Sequence, residues 1–278
     1  MRSLKVPGSG INGLDWEGGG LRIALAVDSF IYFANIRPDY KWGYFGKTLV
    51  YACTKPDRPE HCVVFWDTKT DEHYTKYVKK LVAIRAAGDN CVLVTKADDN
   101  TEQFILILCN AIGTPIDSKY TEVEPLVLAM TKHHIAVASE HYVYVWQYRS
   151  TAFSDTNKGV TGTTSLLKKE GTERLFHIDD LTSTENGKVD FKRTAGTHDN
   201  ICCLAASERH LLVGRDSGNV HKYLLPELKL DGKYTLRTRP QALALNVNST
   251  RMSIIDINGV LTFMDLESKA KGAPKVGR

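Results

Sequence analysis

The sequence predicts an all-β chain assembled from repeated sheets, on three observations. A short apolar strand entered through a polar turn recurs along the 278 residues. It begins after Ser29, His61, Gln103, His141, Gly218 and Gly259, at gaps of 32, 42, 38, 77 and 41 residues. No segment sustains a 3.6-residue apolar period, so helices are not expected.

Each repeat has the same interior: an alternating strand, a polar turn, a second strand, another turn, and the recurring strand. "CLAASERHLLVGRDSGNVHKYLL" (Cys203 to Leu225) and "ALALNVNSTRMSIIDINGVLTFMDL" (Ala242 to Leu266) are written alike. The strands are rich in Val, Ile, Leu, Tyr and Phe and are bounded by Asn, Asp, Gly and Ser. A unit of about 40 residues with about four strands is the signature of a propeller blade. Trp66-Asp67 ends one such strand, and His198 in "GTHDNICCL" precedes another, both habits of WD repeats. The expectation is therefore a WD-type β-propeller of about six recognisable blades over 11–268. It is preceded by a lead-in at 1–10 and followed by a disordered polar tail at 269–278.

The doubled gap places a polar insertion at 149–197, rich in Thr, Ser, Gly and Lys. It reads as a long loop with outer strands of one blade, "RLFHIDD" and "KVDFKRT", or as a hidden further blade. The tail's polar residues suggest that the propeller is incomplete.

The totals exclude several classes. With 42% apolar and 24% charged residues the composition is globular. No apolar run reaches the roughly 20 residues of a membrane helix, and the first ten residues carry no signal-peptide core. Net charge is only +4, and Lys and Arg alternate with Asp and Glu, so a nucleic-acid partner is not expected. The basic stretch Thr75 to Lys80 reads as a solvated strand end, with a patch for acidic lipid or a partner as the alternative. The six cysteines form no C-x-x-C pair and lie mostly in apolar runs, which suits core thiols rather than a disulfide or metal framework.

No catalytic or cofactor site is expected. "WEGGG" (Trp16 to Gly20) is not a phosphate loop and reads as a hairpin. His133, His134 and His141 lack a completing carboxylate at ligand spacing and read as exposed turn residues. No nucleophile pairs with a base, and the scattered carboxylates sit in turns. The candidate site is instead "NIRPDYKWGYF", read as a loop. It gathers Arg37, Tyr40, Lys41, Trp42, Tyr44 and Phe45, the aromatic and cationic types that dominate interaction hot spots. The alternative is that these aromatics fill the gap between neighbouring blades. Trp66 and Trp146, on strands, read as packing between blades.

The runs "WEGGGLRIALAVDSFIYFANIRPDYKWGYF", "VVFWDTKT", "LILCNAIGTPID", "LVLAMTKHHIAVAS" and "INGVLTFMDLES" carry a specific likeness. The chain resembles the WD-repeat subunits of the intraflagellar transport A particle over nearly its whole length, less so in the insertion and at the ends. That resemblance implies a non-enzymatic scaffold, the second propeller of a two-propeller protein that continues into a helical solenoid. It implies partners among the other particle subunits and ciliary membrane cargo, with only indirect membrane contact. No small-molecule substrate or cofactor is implied. Location would be the cilium, basal body and cytoplasm, and the work retrograde transport, cilium assembly and entry of membrane cargo. A coat-type propeller of vesicle traffic is the alternative.

Overall fold

The computed structural model describes residues 6–18, 22–35, 40–54, 59–98, 101–149, 172–179, 199–266 and 275–276. Among them there is no helix. Every strand pairs antiparallel with its chain neighbour, so each sheet is a simple meander.

The chain divides into two compact units, Met1–Lys41 and Trp42–Arg278. The first holds one three-stranded sheet of β1 (Ile11–Trp16), β2 (Arg22–Val27) and β3 (Phe30–Asn35). Of "WEGGG", Trp16 ends β1 and Glu17 N–H donates to Arg22 O at 2.9 Å, while Gly19 and Gly20 lie outside the described residues.

The second unit holds five four-stranded sheets in chain order. The first is β4 (Trp42–Phe45), β5 (Thr48–Thr54), β6 (His61–Asp67) and β7 (His73–Val78). The second is β8 (Leu81–Ala87), β9 (Asn90–Lys96), β10 (Phe104–Cys109) and β11 (Pro115–Thr121). The third is β12 (Val127–Met130), β13 (His134–Ala138), β14 (Tyr142–Gln147) and β15 (Glu173–His177). The fourth is β16 (Ile201–Ala206), β17 (His210–Arg215), β18 (Asn219–Leu224) and β19 (Lys229–Thr235). The fifth is β20 (Pro240–Leu245), β21 (Arg251–Asp256), β22 (Leu261–Asp265) and β23 (Lys275–Val276). The six recurring strands of the sequence are β3, β6, β10, β14, β18 and β22, the third strand of each sheet.

Alternation along each strand explains the packing. Cys91 and Leu93 of β9 point into a core shared with the first four-stranded sheet, beside Phe45, Val50, Phe65 and Ile84. Val92 and Val94 point the other way, into a core with Leu128, Ile135, Val137 and Trp146. Ala136 and Ala138 of β13 and Val143 and Val145 of β14 then meet Ile201, Leu211, Val213 and Tyr223. Leu212 and Val220 meet Met252 and Ile254. A middle strand buried on both faces reads as a continuous apolar run, which is why "NCVLV" and "HIAVA" are nearly unbroken. The outer strands β7, β11 and β19 face water on most of their length and are correspondingly polar.

The turns repeat as well. Gly218 N–H donates to Arg215 O and Gly259 N–H to Asp256 O, both at 3.0 Å. Both glycines have φ near +80 to +90°, a left-handed value that a Cβ would penalise.

Within the insertion the structure describes residues 172–179, while 150–171 and 180–198 lie outside the described residues. β15 is the outer strand of the third four-stranded sheet, as "RLFHIDD" suggested, and separates 150–171 from 180–198. "KVDFKRT" and His198 lie outside the described residues. Among the described residues no further sheet stands between the third and fourth four-stranded sheets. Those sheets share one core, and Ile201 N–H donates directly to Glu140 O at 2.7 Å. The tail at 269–278 also lies outside the described residues, except that Lys275–Val276 pairs with β22. Of the six cysteines four are buried, Cys202 is half-buried and Cys53 is exposed.

Candidate interaction surface

The sequence places Trp42, Tyr44 and Phe45 in a loop; the structure makes Trp42–Phe45 the strand β4. Alternation then splits the candidate residues by face. Gly43 and Phe45 turn toward the next sheet. A Cβ on Gly43 would lie 2.7 Å from Ala86 Cβ, so glycine lets β4 approach β8 closely. Phe45 is 3% exposed, inside the core with Val50, Phe65 and Ile84. It is therefore a packing residue and is withdrawn from the candidate surface.

Trp42 and Tyr44 turn the other way and are 56% and 54% exposed. Across the sheet Trp42 faces Tyr51, and Tyr44 faces Leu49. Leu49 in turn faces Trp66, and Tyr51 faces Val64. The result is one continuous aromatic and aliphatic sheet face, of Trp42, Tyr44, Leu49, Tyr51 and Trp66. Trp66 is half-buried on this face. It stacks on His73 with ring centroids 5.5 Å apart and donates Nε1–H to Asp71 at 2.8 Å. Asp67, its neighbour, ties the following turn by accepting from the amides of Lys69 and Thr70. The Lys47 ammonium bonded to it holds its carboxyl down at about 2. Trp146, by contrast, is fully buried between two sheets, as expected.

Tyr40, 76% exposed, and Lys41, half-buried, belong to the first unit, while Trp42 opens the second. Arg37 lies outside the described residues. Sequence reasoning missed Leu49 and Tyr51. The available signal was the alternation in "TLVYACT", where Leu49 and Tyr51 share a face.

The histidines do not form a site. His133 Nδ1 lies 2.5 Å from Glu208 Oε2, and Glu208 Oε1 accepts the Lys132 amide. His134 is not an exposed turn residue: it is 2% exposed and neither ring nitrogen has a hydrogen-bond partner. Burial, with the neighbouring His133, pushes it down to about 4. No group of three or more His, Cys, Asp or Glu able to hold a metal ion occurs among the described residues. Among the described residues the face of β4 and β5 offers apolar and aromatic contact area.

Comparison with known proteins fits this architecture. The family model described as the WDR35 second beta-propeller matches residues 42–277. The chain belongs to that family. Proteins named WD repeat-containing protein 35 from Rattus norvegicus and Homo sapiens are 55% and 53% identical over 97% of the chain. The chain spans about a quarter of their length, 23% and 24%. The crystal structure of Kluyvelomyces marxianus Hsv2 superposes with a TM-score of 0.53 at 6% identity, covering 92% of this chain and 76% of that one. At that identity the likeness concerns the fold alone, which is a β-propeller. The WDR35 second-propeller match starts at Trp42, the residue that opens both the second unit and the aromatic face.

Proposed function

We propose that this chain is a non-enzymatic scaffold propeller of an intraflagellar transport A subunit. The observation that carries the reading is the 53–55% identity to WD repeat-containing protein 35 over 97% of the chain. It is supported by the WDR35 second-propeller match and by an apolar sheet face suited to contact with protein. In this reading the propeller holds other subunits of the particle and ciliary membrane cargo, and reaches membranes only through them. It resides in cilia, at basal bodies and in the cytoplasm. It serves cilium assembly, retrograde transport and entry of membrane cargo. Trp42 and Tyr44 are its proposed contact residues, with Arg37, Tyr40 and Lys41 beside them in sequence.

The test is affinity purification of the tagged chain from ciliated cells, with and without Trp42→Ser and Tyr44→Ser. The expected result is recovery of the ciliary transport subunits with the parent chain and their loss with the double variant. Recovery of none of them, with a distribution independent of cilia, would reject the reading in favour of a vesicle-coat propeller. Recovery unchanged by the double variant would reject only the contact residues.

A further inference from the structure

Cys202 and Cys203 are neighbours on β16, and in an unbroken strand neighbouring side chains point to opposite faces. Here the pairing of β16 with β17 passes from Ile201↔Arg215 to Cys203↔Gly214, so Cys202 is an extra residue in the ladder. Such a bulge re-aims a side chain. The two sulfurs stand 3.9 Å apart. The same shift occurs at Asn12-Gly13 of β1, Val82-Ala83 of β8 and Gln241-Ala242 of β20, none of which carries a thiol.

The surroundings make the two thiols unequal. Cys203 is 5% exposed, in room left by Gly214, where a Cβ would collide with its sulfur. Cys202 is half-buried and within reach of a small solute. Both sulfurs lie against Pro240 O, Cys202 at 3.2 Å and Cys203 at 3.9 Å. The Arg239 guanidinium reaches Cys202 while bonded to Asp216 at 2.5 Å. A hydrogen bond from the Cys203 thiol, with help from Arg239, lowers the Cys202 thiol below its usual range, against burial and Asp216. The same contact, with burial, raises Cys203. An accessible, thiolate-prone cysteine beside a second thiol is the arrangement that responds to oxidants. Cys91 and Cys109 also face each other, across β9 and β10, but at 0% and 1% exposure they are shut off from solvent.

We propose that Cys202 and Cys203 are a redox modification site, in which a hydroperoxide oxidises Cys202 and Cys203 resolves the product as a vicinal disulfide. The Cys202 thiolate attacks one oxygen of hydrogen peroxide. The O–O bond breaks, leaving a sulfenic acid and a hydroxide that is protonated to water. The Cys203 sulfur then attacks the Cys202 sulfur, loses its proton and expels a second water. Two thiols and one peroxide thus give one disulfide and two waters, with two electrons passing from sulfur to oxygen. A disulfide that is partly exposed is of the labile kind that a thiol such as glutathione reopens. Oxidation also takes both S–H donors from Pro240 O, where β16 meets β20.

The test treats the reduced 278-residue chain with hydrogen peroxide and maps each cysteine by differential alkylation and mass spectrometry. The peptide holding Cys202 and Cys203 is expected to become two hydrogens lighter and closed to alkylation. This should happen about tenfold faster than oxidation of the same thiols in urea-unfolded chain. Glutathione should restore both thiols. In Cys203→Ser the Cys202 sulfenic acid should persist and be captured by dimedone. In Cys202→Ser, Cys203 should stay reduced over the same time. Oxidation that falls first on Cys53, or on Cys202 no faster than in the unfolded chain, would overturn the proposal. So would conversion of Cys202 to sulfinic acid in the parent with no disulfide formed. The parent chain alone decides these outcomes, whatever the variants do to folding.

Discussion

Arg215 holds Asp179 by a 2.6 Å contact from Nη1 to Oδ1, joining two sheets of the propeller. The same guanidinium donates through Nε and Nη2 to the Asp199 carbonyl and pairs with its carboxylate at 3.0 Å. Asp179 and Asp199 flank residues 180–198, so one 7%-exposed cation binds the described residue on each side of that stretch. Arg215→Met removes these charge-assisted bonds and leaves the Asp199 carbonyl short of two donors. The expected loss is about 2 kcal/mol in urea unfolding. Limited proteolysis is expected to cut within 180–198 faster in the variant, with cleavage elsewhere unchanged.

Gly43 sets the spacing of the first two four-stranded sheets, because its missing Cβ is the room Ala86 occupies. Gly43→Val should cost about 1–3 kcal/mol by overpacking. Ala86→Gly in the same chain should recover part of that loss. A double-mutant cycle over the four proteins measures the coupling, and additive effects would show that the contact is not the cause.

The propeller was legible in the sequence because its repeat is physical. The third strands of four of the sheets are buried over most of their length, so β10 and β14, apolar at all but Gln147, stand out. The turn before β18 and β22 needs a left-handed residue, and Gly218 and Gly259 supply it. What was hidden depends on neighbours. β4 is only four residues long and follows a Pro-containing segment, so it read as a loop. Phe45 and Trp42 look equally suited to a surface until alternation sets one against Ile84 and the other toward water. His134 is polar by type but begins a strand packed on both faces, which no local pattern announces. Asp179 and Asp199 are twenty residues apart and are both bound by Arg215, which no local pattern announces.

His134 gives the fold an acid sensitivity. In an unfolded chain an imidazole takes its proton near 6.5, whereas burial brings His134 down to about 4 in the fold. Between those values the unfolded state binds the extra proton. Stability is therefore fully present above about pH 6.5 and falls as pH drops toward 4. His221, also brought to about 4 by burial, adds to the same window. His134→Leu should flatten the fall without harming stability at pH 7.5, since neither ring nitrogen loses a partner. Chemical denaturation at pH 7.5, 6 and 5 checks this: a parent and variant that lose stability in parallel would contradict it.

Two residues three apart on β4 should respond in opposite ways. Phe45→Ala empties a site walled by Val50, Phe65 and Ile84 and should cost about 3–5 kcal/mol. Trp42→Ser removes a side chain already 56% in water, so its cost to folding should stay within about 0.5–1 kcal/mol. If the exposed face is a contact surface, the order reverses in binding. Trp42→Ser should then weaken partner capture tenfold or more, as loss of an interface aromatic does. Phe45→Ala should bind normally for whatever fraction remains folded. Measuring melting and capture on the same preparations separates the two effects. A Trp42→Ser protein that melts as early as Phe45→Ala would show that the tryptophan is part of the core after all.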